Sequence, residues 1–335
     1  MIKLSDEALQ KLLKPYALTL ADITYLGGGR EDGDGIVYAY QRGGLPMAIK
    51  LMAWVEPEES AALTVSKYEE RVRFANYLGS NGAAIVGPEP TEDGKIYHSC
   101  RDGKYTYITY IMRRADGSNL PPEKWDNEYY RLWGQAVGRM HRLTLGYPHW
   151  QRSATLDEQG NPALGWQKEV GFFRQWCKDE QVSHAWEGMQ SRLESLPVER
   201  RSFGFIHNDP HSANILYDGK SLHIIDFDVA NYHWFATDIA IALQSILFMK
   251  SGGMERPMED REAVRRFLNE FMAGYETEHR LDKYWLDRLD LFVQYRRLLL
   301  FTVMQDWLST DAAAKETWKR VIADEPQYIA EILNS

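Results

Sequence analysis

The run His207-Asn208-Asp209-Pro210-His211-Ser212-Ala213-Asn214, followed by Leu222-His223-Ile224-Ile225-Asp226-Phe227-Asp228, constrains this chain more than any other feature. Apolar pieces at 203–207, 214–217 and 221–226 read as short β segments around a polar loop. Such segments can fold against each other and bring an Asp, an Asn and a second Asp together. A carboxylate directly after buried strand residues, as Asp226 is after Leu222–Ile225, is costly unless a cation compensates it. One carboxylate to accept a hydroxyl proton, with an amide oxygen and another carboxylate to hold magnesium, is the set that phosphoryl transfer from a nucleotide needs.

The length, 335 residues, exceeds what one core usually fills, so two lobes are expected. Apolar residues at 44% and charged residues at 26% are those of a globular chain. A net charge of −9 argues against a general nucleic-acid binder, which would need a basic stripe. Cys100 and Cys177 show no metal or redox spacing, which fits a reducing compartment. The opening Met1-Ile2-Lys3-Leu4-Ser5-Asp6 lacks a signal-peptide core, and no apolar run is long enough to span a bilayer. A cytoplasmic protein with no membrane and no nucleic-acid partner is the expectation.

The hydrophobic period divides the chain. After a short helix from Ser5 to about Leu13, residues Thr19–Leu26, Ile36–Gln41 and Met47–Met52 read as strands, with a tight turn at Gly43-Gly44. A helix is expected from Glu58 to Gly79, turns at Asp93-Gly94 and Asp102-Gly103, and a strand at Lys104–Met112. Past residue 113 the pattern turns helical: Asn127–Leu145 carries an apolar stripe, and Gly134 and Gly138 on it would allow close helix packing. Residues 146–165 form the longest irregular stretch. Further helices are expected at about 236–250, 260–279, 283–308 and 311–333. The expected division is a nucleotide-binding lobe at 1–112, ending in a hinge, and a helical lobe at 113–335 with the catalytic loop and acceptor site.

With a lysine strand (Ala48-Ile49-Lys50) ahead of the catalytic run, the chain resembles the aminoglycoside phosphotransferase and choline kinase-like family. These are small-molecule relatives of the protein kinases; the group includes a homoserine kinase type and a bacterial stress-response kinase. The specific part of the resemblance is residues 203–240, and the N-terminal half matches in outline. It implies an α+β, two-lobe, protein-kinase-like fold with a small antiparallel-sheet lobe and a larger, mostly helical one. It implies Asp209 as the catalytic base or acceptor-orienting carboxylate, and Asn214 and Asp226 as magnesium ligands. His207 would hold the loop, and Asp238 would brace it. Asn208 stands where protein kinases carry the Arg through which activation-loop phosphorylation acts. Lys50 would position the nucleotide phosphates, paired with Glu70 or, as the alternative, Glu69. Gly28 and Gly29 lie in a glycine-rich loop placed to cover phosphates, although the loop is acidic, and a hairpin without ligand contact is the other reading. Tyr110 and Met112 end the strand where the family's hinge meets the purine. The nucleotide is ATP, with GTP the alternative. Asp228 either contacts a second metal or only water.

The acceptor is the least specified element. The resemblance implies a hydroxyl on a small molecule, aminoglycoside-, choline- or homoserine-like. Trp125, Tyr129, Tyr130, Trp133, Tyr147, Trp150 and Trp166 could form an aromatic wall for a quaternary amine or a sugar face, but core packing is the simpler reading. Glu276, Glu278, Asp282, Asp287 and Asp290 could receive an amino substrate or form a solvated face. A serine/threonine protein kinase of the stress-response type and a nucleotide-binding scaffold without turnover are the alternatives.

Overall fold

Alternating apolar residues and glycine turns build the first part of the chain. In the computed structural model, which describes residues 5–28, 35–249, 261–323, 329, 331 and 332, Ser5 caps α1 (Asp6–Leu13) by accepting from the Ala8 amide. The strand expected from Thr19 begins later. Thr19 and Asp22 close a capping box around a short 3-10 turn, so β1 is Thr24–Gly28. Then come β2 (Ile36–Arg42), β3 (Leu45–Val55), α2 (Glu58–Ser80), β4 (Pro88–Glu89), β5 (His98–Asp102) and β6 (Tyr105–Arg113). Gly43 and Gly44 take φ of 58° and 80°, the left-handed pair that a two-residue hairpin turn demands. The sheet is antiparallel in the order β1-β2-β3-β6-β4, with β5 also pairing to β6. Side chains alternate across it. Met47, Ile49 and Leu51 pack with Leu9, Leu12 and Leu13 of α1 on one face, while Met52 and Tyr110 pack with Val72 of α2 on the other.

Backbone contacts divide the chain into two compact units: residues 1–116 with 154–163, and residues 117–153 with 164–335. Part of the stretch expected to be irregular is therefore a hairpin of the first unit. Leu156 bridges Pro162, and Asp157 closes the tip by accepting from the Gln159 and Asn161 amides.

The second unit holds α3 (Asn127–Thr144), α4 (Trp166–Trp176), α5 (Glu180–Glu194), β7 (Phe203–Ile206), β8 (Ile215–Tyr217), β9 (Leu222–Ile224), β10 (Asn231–Trp234), α6 (Phe235–Met249), α7 (Arg261–Tyr275), α8 (Lys283–Leu286), α9 (Leu289–Val303), α10 (Gln305–Leu308) and α11 (Ala312–Ala323). Helices α4 and α5 were not expected. The helix expected at 260–279 ends at Tyr275, and the one expected at 283–308 is three helices. Those expected at 236–250 and 311–333 run in part into residues outside the described ones.

Helix α3 crosses α7 backbone to backbone. A Cβ at Gly134 would lie 1.8 Å from the Phe271 carbonyl oxygen, and one at Gly274 would lie 1.9 Å from that of Arg131. Gly138 makes the same approach to Tyr275. Trp125, Tyr129, Tyr130, Trp133 and Trp166 are buried, so these members of the aromatic cluster are core. Four of the five acidic residues singled out in the helical unit also have structural partners. Glu278 pairs with Arg139 and Arg142, Asp282 caps α8, Asp287 meets Lys283, and Asp290 accepts from the Ile329 amide. Among the described residues, no helix is long and apolar enough to cross a membrane.

Candidate active site

Strand β7, paired antiparallel with β10, delivers the chain to His207. The loop that follows is fixed by buried polar groups. Asp238, in the first turn of α6, accepts from the backbone amides of His207 (3.2 Å) and Asn208 (2.8 Å). Its Oδ2 also meets His141 Nε2 at 3.1 Å, and His141 Nδ1 meets the Tyr275 hydroxyl at 2.8 Å. Desolvation raises the Tyr275 hydroxyl well above its ordinary value, helped by the Asp238 charge, so it stays protonated.

Asn208 has φ of 66°, a left-handed conformation that Asn tolerates better than most residues. Its amide nitrogen donates to Glu169 Oε2 (2.6 Å), which also accepts from Asn231 (3.0 Å). The other Glu169 oxygen takes the Tyr295 hydroxyl. Asn208 thus anchors the loop.

His207 ties the loop to the next segment. Its Nδ1 accepts from the Asp209 amide (3.1 Å) and its Nε2 donates to the Ile225 carbonyl (2.9 Å). A neutral ring with its proton on Nε2 satisfies both bonds. The ring packs against Phe227 at 4.4 Å between centroids. These contacts make His207 a holding residue.

Asp209 projects from this loop with both carboxylate oxygens engaged. Arg296 of α9 meets Oδ1 at 2.5 Å, and His211 Nε2 lies 3.4 Å from Oδ2. Burial would raise the carboxyl, but the Arg296 guanidinium, seconded by His211, outweighs it and holds Asp209 at about 2. Arg296 lies 87 residues further along the chain.

Asn214 ends a single 3-10 turn, Ser212–Asn214. Its side-chain nitrogen donates to the Asp209 carbonyl (2.9 Å), which orients the side chain and leaves the amide oxygen as the atom that could take a metal. Asn119 clamps this turn by donating to the carbonyls of Ala213 and Ile215, both at 2.8 Å. The β8–β9 hairpin then sets Asn214 across from Ile225, whose amide donates to the Asn214 carbonyl (3.0 Å). Asp226 follows with φ of 71°, a left-handed conformation that costs an Asp on the order of 1–2 kcal/mol and that clusters at functional sites. Its Oδ1 accepts from the Asp228 amide at 3.3 Å. An amide oxygen and a carboxylate are hard ligands suited to magnesium, which takes its remaining ligands from phosphate and water. Among the described residues no three His, Cys, Asp or Glu form a ready-made cage; an amide oxygen with a carboxylate is a donor set that fits magnesium carried by a nucleotide.

The first unit holds the remaining expected residues. Lys50 of β3 is buried, stands opposite Tyr110 in the register, and shares a face with Met112, which stands opposite Ala48. A Cβ at Gly35 would lie 2.6 Å from Lys50 Cε, so the lysine runs over bare backbone where β2 begins. Gly28 has φ of 86°, and a Cβ there would strike the Gly35 carbonyl. Its conformation is thus accounted for by the neck of the loop; Gly29 lies outside the described residues.

The two candidate glutamates of α2, Glu69 and Glu70, separate clearly. Glu69 binds Arg73 (2.8 Å to Nε) and the Tyr97 hydroxyl (2.9 Å). Glu70 is buried and accepts from the amides of Ala154 (3.1 Å) and Thr155 (3.2 Å).

Comparison with known proteins adds a further finding. The model of the phosphotransferase enzyme family APH matches residues 56–296. The chain belongs to this family. It is 23% identical over 319 residues to amicoumacin kinase of Bacillus subtilis (strain 168), covering 93% of this chain and 88% of the relative. It is 25% identical over 284 residues to homoserine kinase of Rhizobium meliloti (strain 1021), covering 81% and 79%. Among solved structures it matches amicoumacin kinase hAmiN in complex with AMP-PNP, Ca2+ and Ami. The TM-score there is 0.77 at 21% identity, covering 95% of this chain and 92% of the other. The fold is therefore the two-lobe, kinase-like α+β fold, and the protein is a small-molecule phosphotransferase acting on an alcohol group.

In this phosphotransferase, sequence reasoning missed the supports rather than the loop itself. Arg296, Glu169 and Asn119 each act on the loop from far along the chain. Of these, Arg296 has a local signal, because it and Arg297 are ionisable residues in the largely apolar run Leu289–Leu300 and their charges must be paired.

Proposed function

We propose that the protein transfers the γ-phosphoryl group of ATP to a hydroxyl of a small molecule, with Asp209 as the acceptor-orienting carboxylate. The observation that carries this reading is Asp209 itself, on a loop fixed by Asp238 and His207 and tied to Asn214, whose backbone carbonyl accepts from the segment that carries Asp226.

Asp209 stays ionised at any pH where the protein works, because the Arg296 guanidinium stabilises its charge. It accepts a hydrogen bond from the acceptor hydroxyl and aims that oxygen at phosphorus. A carboxylate of such low basicity takes the proton late, once bonding to phosphorus has made the hydroxyl acidic. This fits a loose transition state in which positioning and charge compensation dominate. His207 and Asn208 hold the loop through the transfer. Asn214 and Asp226 would hold magnesium, which supplies positive charge to the phosphates when bound. Lys50, with Glu70, positions the phosphates, and backbone groups near Tyr110 and Met112 receive the base.

The test is Mg·ATP turnover by the wild type and Asp209→Asn. Amicoumacin and homoserine lead the acceptor panel because the relatives carry those names, followed by pooled aminoglycosides, choline-like amines, sugars and a generic protein. Turnover with one small acceptor, reduced roughly 10²–10⁴-fold in the variant, is the expected result. Wild-type turnover in Asp209→Asn would remove Asp209 from the mechanism, and phosphate appearing only on the protein acceptor would overturn the small-molecule reading.

A further inference from the structure

Glu70 is gripped by a segment that the sequence places more than eighty residues downstream. The hairpin 154–163 follows α3 and precedes α4, yet it belongs to the first unit. Its leading residues present successive backbone amides to one carboxylate: Ala154 N to Oε1 at 3.1 Å and Thr155 N to Oε2 at 3.2 Å. The Thr155 hydroxyl donates to the Ser66 carbonyl, one helical turn before Glu70 (3.3 Å). The hairpin is itself closed, by Ala163 N to Thr155 O (2.8 Å) and Asp157 N to Asn161 O (2.8 Å), with Asp157 capping the tip.

We propose that the hairpin 154–163 is a positioning element for nucleotide binding, whose Ala154 and Thr155 amides fix the Glu70 carboxylate that in turn orients Lys50. This rests on the reading that Lys50 and Glu70 position the phosphates. The chemistry favours it. A buried carboxylate is costly unless hydrogen-bonded, and with an amide on each oxygen Glu70 is held in one orientation instead of sampling several rotamers. Glu69, the neighbouring acid, has no such grip and turns to Arg73 and Tyr97. Anything that lifts the hairpin would free Glu70, and Lys50 would lose its fixed partner before a nucleotide arrives.

The experiment is equilibrium titration with Mg·ATP of the wild type, Thr155→Pro, Glu70→Gln and the double variant. Proline removes the amide donor to Glu70, together with the hydroxyl donor to the Ser66 carbonyl, without adding charge. Thr155→Pro is expected to weaken Mg·ATP binding about tenfold, the scale of one hydrogen bond to a charged group. In the Glu70→Gln background the same change should add less than about twofold, because the hairpin acts through that carboxylate. Asp157→Ala, which loosens the tip without touching Glu70, should weaken binding in the same non-additive way, and it stands in if Thr155→Pro fails to fold. Full additivity with Glu70→Gln, or wild-type affinity in folded hairpin variants while Glu70→Gln binds weakly, overturns the hairpin role alone. Wild-type affinity in Glu70→Gln overturns the underlying reading and the hairpin role with it.

Discussion

Replacing Arg296 by Met removes the charge beside Asp209 while keeping most of the side-chain length. Arg296 and Asp209 lie 2.5 Å apart, with side chains 11% and 23% exposed, so solvent screens the pair poorly. The fall of the Asp209 carboxyl from 3.8 to about 2 corresponds to roughly 2.5 kcal/mol, at about 1.4 kcal/mol per unit. A depressed carboxylate contributes its stability above the unfolded-state value near 3.8 and loses it as pH falls through about 2. At neutral pH the contribution is therefore fully present. In Arg296→Met the carboxylate keeps its burial and loses its main compensation, so about 3 kcal/mol of stability should go. In a cycle with Asp209→Asn, the coupling between the two residues should reach about 2 kcal/mol. Urea unfolding at pH 7 followed by tryptophan fluorescence reads this out in the second unit, where every tryptophan except Trp54 resides. The single variant should also reverse the sign of the pH dependence. Burial then raises the folded-state value above the unfolded one, so Arg296→Met should gain stability relative to the double variant as pH falls from 7 to 5. Coupling below about 0.5 kcal/mol, with no such pH slope, would refute the claim that Arg296 sets the charge state of Asp209.

Other residues make independent tests. Asp226→Ala should abolish the strengthening of nucleotide binding by magnesium, measured by calorimetry with and without the metal; unchanged Mg·ATP affinity would remove Asp226 from the metal site. Gly134→Ala forces a methyl group to within 1.8 Å of the Phe271 carbonyl, so α3 and α7 must separate. A loss of about 2–3 kcal/mol by urea unfolding is expected, and a change below about 0.5 kcal/mol would mean that the helices move apart freely.

The loop around Asp209 was legible as a polar stretch between short strands because its information is local. His207, Asp209 and Asn214 stand at a fixed spacing on one loop, and Asp226 follows an apolar strand, so residue type and order suffice to suggest the chemistry. Gly134 and Gly138 were legible as close-packing positions for the same reason. Helices α4 and α5 were not. Helix α4 leaves Phe172 and Trp176 exposed, so its apolar residues do not mark one face. Helix α5 buries Val182, Trp186, Met189 and Leu193 at helical spacing behind an Asp179 cap, a local signal that the sequence does carry. The strand expected from Thr19 failed because local hydrogen bonds in the Thr19–Asp22 capping box outcompeted β propensity.

Sequence alone determined strands β2, β3 and β6, the glycine turns, the apolar face of α3 and the loop between short strands that carries Asp209, because each depends on neighbours within a few residues. Tertiary structure decided which groups hold that loop and with what charge. Arg296 on Asp209, Glu169 on Asn208, Asn119 on the Asn214 turn and the 154–155 amides on Glu70 join residues tens of positions apart. No spacing records such pairings, since they exist only once the helices and hairpins have packed and a buried charge must find its partner in space.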